Sequence, residues 1–212
     1  MYYLKYILAK FKYSPFIRVV QDGLTKIGIR ISPYYIVLEG LFDESMPHLE
    51  RGFNEYDIGF LRTEDMKEIS ILPGPDRTFS EEDLLLRLKD GKKCLGLKYR
   101  GKIVAFTWYD LKEYNFNGYK FSLKENEAYL FDAYTLMSFR GKGIAPYMRY
   151  QCYKKLAKLG RYRLYSVSIC FNAPSIRFKK KLNAKILELA LYVELFKKWN
   201  FNSRLKRYKV GT

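Results

Sequence analysis

The run Arg140-Gly141-Lys142-Gly143-Ile144-Ala145-Pro146 sets two cations among two glycines, between a strand-like stretch, "AYLFDAYTL", and a helix-like one, "YMRYQCYKKLAKLG". Glycines let a backbone come close to a ligand, and the N–H groups that open a helix attract anions. The chemistry this predicts is the holding of a phosphate or pyrophosphate. Within the strand, Asp132 is the one carboxylate among apolar and aromatic residues and Thr135. A carboxylate so placed can take a proton from a substrate or pair with a nearby arginine. Farther on, "NAPSIRFKKKLNAK" follows another strand-like run. Its Asn172 and Ser175 can cap a short helix or hydrogen-bond a ligand.

Three phosphate-binding patterns compete for the glycine turn. A P-loop needs Ser or Thr after the lysine, where this chain has Gly143. A dinucleotide fingerprint needs a third glycine where Pro146 stands, and a βαβ unit upstream where hairpins are expected. The third pattern fits: Arg140-x-x-Gly143-x-Ala145 resembles the pyrophosphate loop of the GCN5-related N-acetyltransferase (GNAT) superfamily. Asn172, Ser175 and Lys181 resemble that superfamily's later Asn-x-x-Ser…Lys segment. The likeness covers residues 56–190 in element order and 129–185 in motif.

The resemblance implies transfer of an acyl group from acetyl-CoA, usually to an amine, by direct attack without a covalent enzyme intermediate and without a metal. It implies that backbone at Tyr134, Thr135 and Leu136 pairs with the pantetheine arm. The N–H groups from Gly141 through Lys142, Gly143, Ile144 and Ala145, up to Pro146, would cradle the pyrophosphate, with charge from Arg140 and Lys142. Asn172 and Ser175 would hold the arm. Asp132 stands where some amino-sugar members carry a catalytic acid, so it is the candidate base, with a structural carboxylate as the other reading. Two departures matter: Lys179 replaces the tyrosine that protonates the leaving thiolate in many members, and Asn183-Ala184 replace Gly-Phe. A longer acyl donor or a hydroxyl acceptor remains open within the same fold.

The elements that must position these residues read as β-α-α-β-β-β-α-β-α-β from Tyr56 onward, an α/β mixed sheet with helices on its faces. "YDIGFLR" alternates as a strand. Thr63 and Ser80 are expected helix caps, Ser80 with a carboxylate following in a near-capping box. "KKCLGLKY" and "KIVAFTWYD" form a hairpin through Arg100-Gly101. "KEYNFNGYKFSLKENE" is expected to be a polar loop, Gly160 to end the helix after the glycine turn, and "AKILELALYVELF" to form a long strand. Residues 53–212 are expected to be the acetyltransferase domain. Residues 1–52 are expected to be a basic, aromatic extension that such a fold does not require, with "YYIVLEGL" a short strand in it.

The net charge of +17 is uneven. Residues 128–212 carry 19 Lys and Arg against 3 Asp and Glu, whereas the rest of the chain is nearly balanced. Such a field draws anions. A phosphorylated cofactor accounts for it together with both motifs; a non-catalytic basic module for nucleic acid or membrane accounts for the charge alone, so no nucleic-acid partner is expected. The acceptor is expected to be a small amine, an amino sugar or a metabolite. Cys94, Cys152 and Cys170 are odd in number, lack metal-ligand spacing and suit a reducing cytoplasm. His48 is the single histidine, which argues against a histidine-based triad or zinc site. Read as a helix, "YYLKYILAKFKY" places Leu4, Ile7, Leu8 and Phe11 on one stripe, flanked by Lys5 and Lys12. That stripe is expected either to rest on an anionic inner-membrane surface or to pack against protein.

Overall fold

The computed structural model describes residues 20, 23–40, 55–72 and 79–209. The expected stripe from Leu4 to Phe11, and His48, lie outside the described residues. In chain order the elements are β1 (Ile29–Glu39), β2 (Tyr56–Phe60), α1 (Thr63–Ser70), α2 (Glu81–Lys89), β3 (Lys93–Tyr99) and β4 (Lys102–Asp110). There follow β5 (Glu113–Phe116), β6 (Tyr119–Ser122), β7 (Glu127–Thr135), α3 (Ile144–Ala157), β8 (Arg163–Ile169), α4 (Ala173–Lys181), β9 (Lys185–Leu195) and β10 (Trp199–Arg207). From β2 to β9 this is the expected order, with the hairpin β5–β6 added.

Eight of the strands form one sheet in the order β10-β9-β1-β8-β7-β4-β3-β2. Its pairs are antiparallel except β7 with β8. Local signals explain the joints. Arg100 and Gly101 both take left-handed backbone, φ 49 and 79, as a tight hairpin with right-handed twist requires. Ser80 caps α2: its hydroxyl accepts from Asp83 N–H at 3.1 Å while Asp83 Oδ2 accepts from Ser80 N–H at 3.0 Å. The cap of α1 is Arg62, not Thr63, which is the first helical residue; Asp65 Oδ2 accepts from Arg62 N–H at 2.8 Å. The carboxylate three residues on selects the cap here.

Helices α1 and α2 bury Met66, Ile69 and Leu84 on one sheet face, against Phe106 and Trp108. The β5–β6 hairpin lies on the same face, where Tyr114 stacks on Phe121 at 4.6 Å and packs on Tyr129 at 4.5 Å. The expected polar loop is therefore a hairpin that roofs an aromatic cluster. Helix α3 covers the opposite face, burying Ile144, Met148, Cys152, Tyr153 and Leu156 against Leu95, Val104 and Leu130.

The expected N-terminal extension does not stand apart from the sheet. Strand β1 lies inside it, paired with β8 from Tyr34↔Ile169 to Glu39↔Leu164 and with β9 from Ile29↔Leu195 to Leu38↔Lys185. Its run Tyr34–Leu38 is apolar on successive residues because both faces are covered, the pattern of a central strand.

Candidate active site

The site begins with a parting of strands. The parallel pairing of β7 with β8 runs from Glu127↔Arg163 to Leu130↔Ser166. Beyond it β8 follows β1 through Tyr34↔Ile169, while β7 follows β4 through Ala105↔Thr135. Between Phe106 and Trp108 the β4–β7 register shifts, so that Asp132 and Ala133 together oppose Thr107. This is a β-bulge, and it turns β7 away from β8. Asp132 takes left-handed backbone there, φ 45, which an Asp tolerates at a cost of about 1–3 kcal/mol. The cleft so opened is walled by backbone of Phe131 to Leu136 and of Val167 to Ile169.

At the end of the cleft lies the glycine turn. Gly141 and Gly143 have φ 81 and 76, and Gly143 caps α3. The first turn of a helix has N–H groups with no intrahelical partner, and at a positive dipole end they suit an anion. A Cβ on Gly141 would meet no other atom within 4 Å, so the turn is open on that side. The two cations brace the loop. Arg140 Nε donates to Thr135 O at 3.1 Å, and Lys142 Nζ donates to Ser138 O at 2.6 Å while lying over the Phe139 ring. Both side chains stay at the turn.

The second motif lies across the cleft. Asn172 caps α4, its Oδ1 accepting from Ser175 N–H at 3.1 Å, and the Ser175 hydroxyl lies 3.1 Å from that of Ser168 on β8. Asn183, where the superfamily pattern has glycine, takes left-handed backbone at φ 55. Asparagine tolerates that conformation, so this departure keeps the turn after α4.

Asp132 opens on the α1–α2 face of the sheet. Arg87 of α2 donates to its Oδ2 at 2.5 Å, and the Asp132 side chain is 33% exposed. The guanidinium of Arg87 lies 4.1 Å from the Phe79 ring centre and 5.5 and 5.6 Å from those of Trp108 and Phe131. The carboxylate thus sits at the edge of an aromatic cluster, fixed by a cation 45 residues away in sequence.

Lys179 is not free to protonate a leaving group. It is 3% exposed, and its ammonium donates to Ser166 Oγ and to Val167 O, each at 2.8 Å. Its counter-charge is Glu39 of β1, at 3.4 Å, which also faces Arg149 of α3 at 3.3 Å. Tyr153 and Ser166 donate to the same carboxylate. Burial pushes the Glu39 carboxyl up, but Arg149, Lys179 and the two hydroxyls outweigh it and hold it below the ordinary value. Burial, with Arg149 adding to it against the pull of Glu39, brings Lys179 down to about 8. Two cations share one carboxylate, and lysine is the one that can give up its proton.

A pH effect follows. Between about pH 8 and the ordinary lysine value of 10.5, the folded chain holds fewer protons at Lys179 than the unfolded chain does. Stability from this group therefore rises with pH across that window, and below it the cost of burying the ammonium is fully present. Denaturant titrations at pH 7.5 and 9.5 should show the native chain gaining on Lys179→Met as pH rises. Equal changes in the two proteins would show that Lys179 does not titrate there.

The comparisons with known proteins show the family and the fold. Residues 60–184 match the model of the acetyltransferase (GNAT) family. The protein belongs to that family. No curated protein matches the sequence. Among solved structures, a Drosophila protein superposes with TM-score 0.59 at 16% identity, over 85% of this chain and 57% of its own. A GNAT-family acetyltransferase from Colwellia psychrerythraea gives 0.57 at 15%, over 79% of this chain and 57% of its own. A Salmonella typhimurium protein solved with its cofactor acetyl-CoA gives 0.51 at 15%, over 74% of this chain and 98% of its own. The chain thus spans little more than half the length of the first two. Among the described residues no cluster of His, Cys, Asp and Glu could hold a metal ion, and Cys94, Cys152 and Cys170 are buried and form no disulfide.

Proposed function

We propose that the protein transfers an acetyl group from acetyl-CoA to the amine of a small acceptor, an amino sugar or a metabolite, in the cytoplasm. The observation that carries this reading is the cleft between β7 and β8 leading to the open glycine turn, in a chain of the GNAT family. Acetyl-CoA supplies an activated thioester. The turn from Gly141 to Ala145 holds its pyrophosphate by N–H groups, braced by Arg140 and Lys142. Backbone of Tyr134, Thr135 and Leu136 orients the pantetheine arm from one wall, and Asn172 and Ser175 do so from the other.

Asp132 draws the acceptor's ammonium by charge and takes its proton, leaving a neutral amine to attack. Arg87 keeps the carboxylate aimed from the α1–α2 side, and Phe79 and Phe131 give the acceptor an apolar wall. The proton for the departing sulfur comes from water, since Lys179 is committed to β8 and Glu39.

The test is a panel of amines with acetyl-CoA, followed by thiol release. Gly143→Asp puts a side chain and a negative charge in the anion nest, and should weaken acetyl-CoA binding at least ~10-fold, about 1.4 kcal/mol, with the fold intact. Unchanged affinity by calorimetry would overturn the placement of the pyrophosphate. Thiol release with no amine, but with alcohols, would change the acceptor class.

A further inference from the structure

The β10 edge of the sheet, separated from the cleft-wall strand β8 by β1 and β9, carries features that acetyl transfer does not use. Ile29 of β1 pairs with Leu195 of β9, which pairs with Trp199 of β10; Ile31, Val193 and Phe201 form the next row. Side chains alternate along a strand, so these six residues share one face. That face is apolar and open: Ile31 is 38% exposed, Trp199 58% and Phe201 59%. At its edge the turn joining β9 to β10 meets the turn before β1, Phe196 N–H donating to Gly28 O. The two turns add Phe196 and Ile27, 57% and 60% exposed.

Cations rim this face. Lys26 precedes Ile27, and Lys197 and Lys198 sit in the β9–β10 turn. From Phe196 to Lys209 the chain has six Lys and Arg and no Asp or Glu. Arg204 and Arg207 are paired with Glu188. We propose that this sheet end docks on an anionic lipid bilayer, with Trp199, Phe201, Phe196 and Ile27 in the headgroup–acyl boundary and Lys26, Lys197 and Lys198 on lipid phosphates. Tryptophan settles at that boundary, and basic residues beside it are drawn to an anionic leaflet. A nucleic-acid surface would combine aromatic rings with cations along one groove. Here four of the six strand residues of the face are aliphatic, and the lysines named sit in or beside the turns at its edge.

The chain has two tryptophans, and Trp108 is fully buried, so Trp199 reports on this face by fluorescence. With vesicles of phosphatidylcholine mixed with phosphatidylglycerol, the full chain should float and its Trp199 emission should shift to the blue. Phosphatidylcholine alone, or high salt, should abolish both. Trp199→Ser with Phe201→Ser should lose flotation while keeping acetyl transfer in solution. Should that variant misfold, Lys197→Glu with Lys198→Glu tests the same surface through charge and should also lose flotation. The proposal is overturned if the native chain stays in the soluble fraction or if these variants float equally. It is also overturned if the apolar variant instead splits a dimer or abolishes binding to single-stranded DNA. Acetyl transfer is read separately throughout, so failure here leaves the proposed function standing.

Discussion

Asp132→Asn should lower kcat by roughly 10²–10⁴-fold, the span associated with a positioned general base, and leave acetyl-CoA affinity nearly unchanged. The substitution is a clean one for this site. Asparagine keeps the size of the side chain, tolerates the left-handed backbone at the bulge, and retains an oxygen that can accept from Arg87. What it removes is the negative charge that draws an ammonium and the lone pair that takes its proton. Steady-state kinetics at saturating acetyl-CoA, beside calorimetry of cofactor binding, read the two effects apart. A lower melting temperature with normal turnover of the folded protein would instead make Asp132 a structural partner of Arg87. That outcome would move the base elsewhere along the same face.

How much of this site could be read in the sequence depends on how far apart its parts lie. The glycine turn was legible because its residues are contiguous and each has a local reason: two glycines with positive φ, then a helix start. Asn172 was legible for the same reason, its cap closing on Ser175 within one turn. The partner of Asp132 was not, since Arg87 lies 45 residues away and reaches it only because α2 packs over β4 and β7. The β5–β6 hairpin carried a signal that went unused. Asn117-Gly118 is a strong mark of a tight β-turn, and both residues take positive φ, 48 and 80. Aromatic and polar residues around it favoured the loop reading, yet alternate ones bury Tyr114 beneath Phe121. By sequence alone β1 reads as a short strand in an optional extension, because nothing local says which strands will flank it. The one clue was Glu39, a carboxylate closing an otherwise apolar run. Such a residue needs a buried counter-charge, and none lies nearby in sequence.

The counter-charges give the largest stability effect expected here. Glu39 is fully buried, and its carboxylate is the shared partner of Arg149 and Lys179, both 3% exposed. Glu39→Leu would remove the single anion and leave two cations without it in the interior. Breaking a buried ion pair in this way typically costs about 3–5 kcal/mol, much more than losing a surface pair. For a chain of this size that is a fall in melting temperature of roughly 10 °C or more. Cleft residues are not its direct target, so the folded variant should still bind acetyl-CoA. The effect should also be strongly non-additive, because its source is uncompensated charge and not lost packing. Adding Lys179→Met to Glu39→Leu removes one stranded cation, and the pair together should be more stable than Glu39→Leu alone. If Glu39→Leu unfolds at the native temperature, then β1 is held by its apolar faces, and the ionic cluster contributes nothing measurable. If the second substitution deepens the loss, the dominant role of Lys179 is its hydrogen bond to Val167 O, which holds β8 at the wall of the cleft.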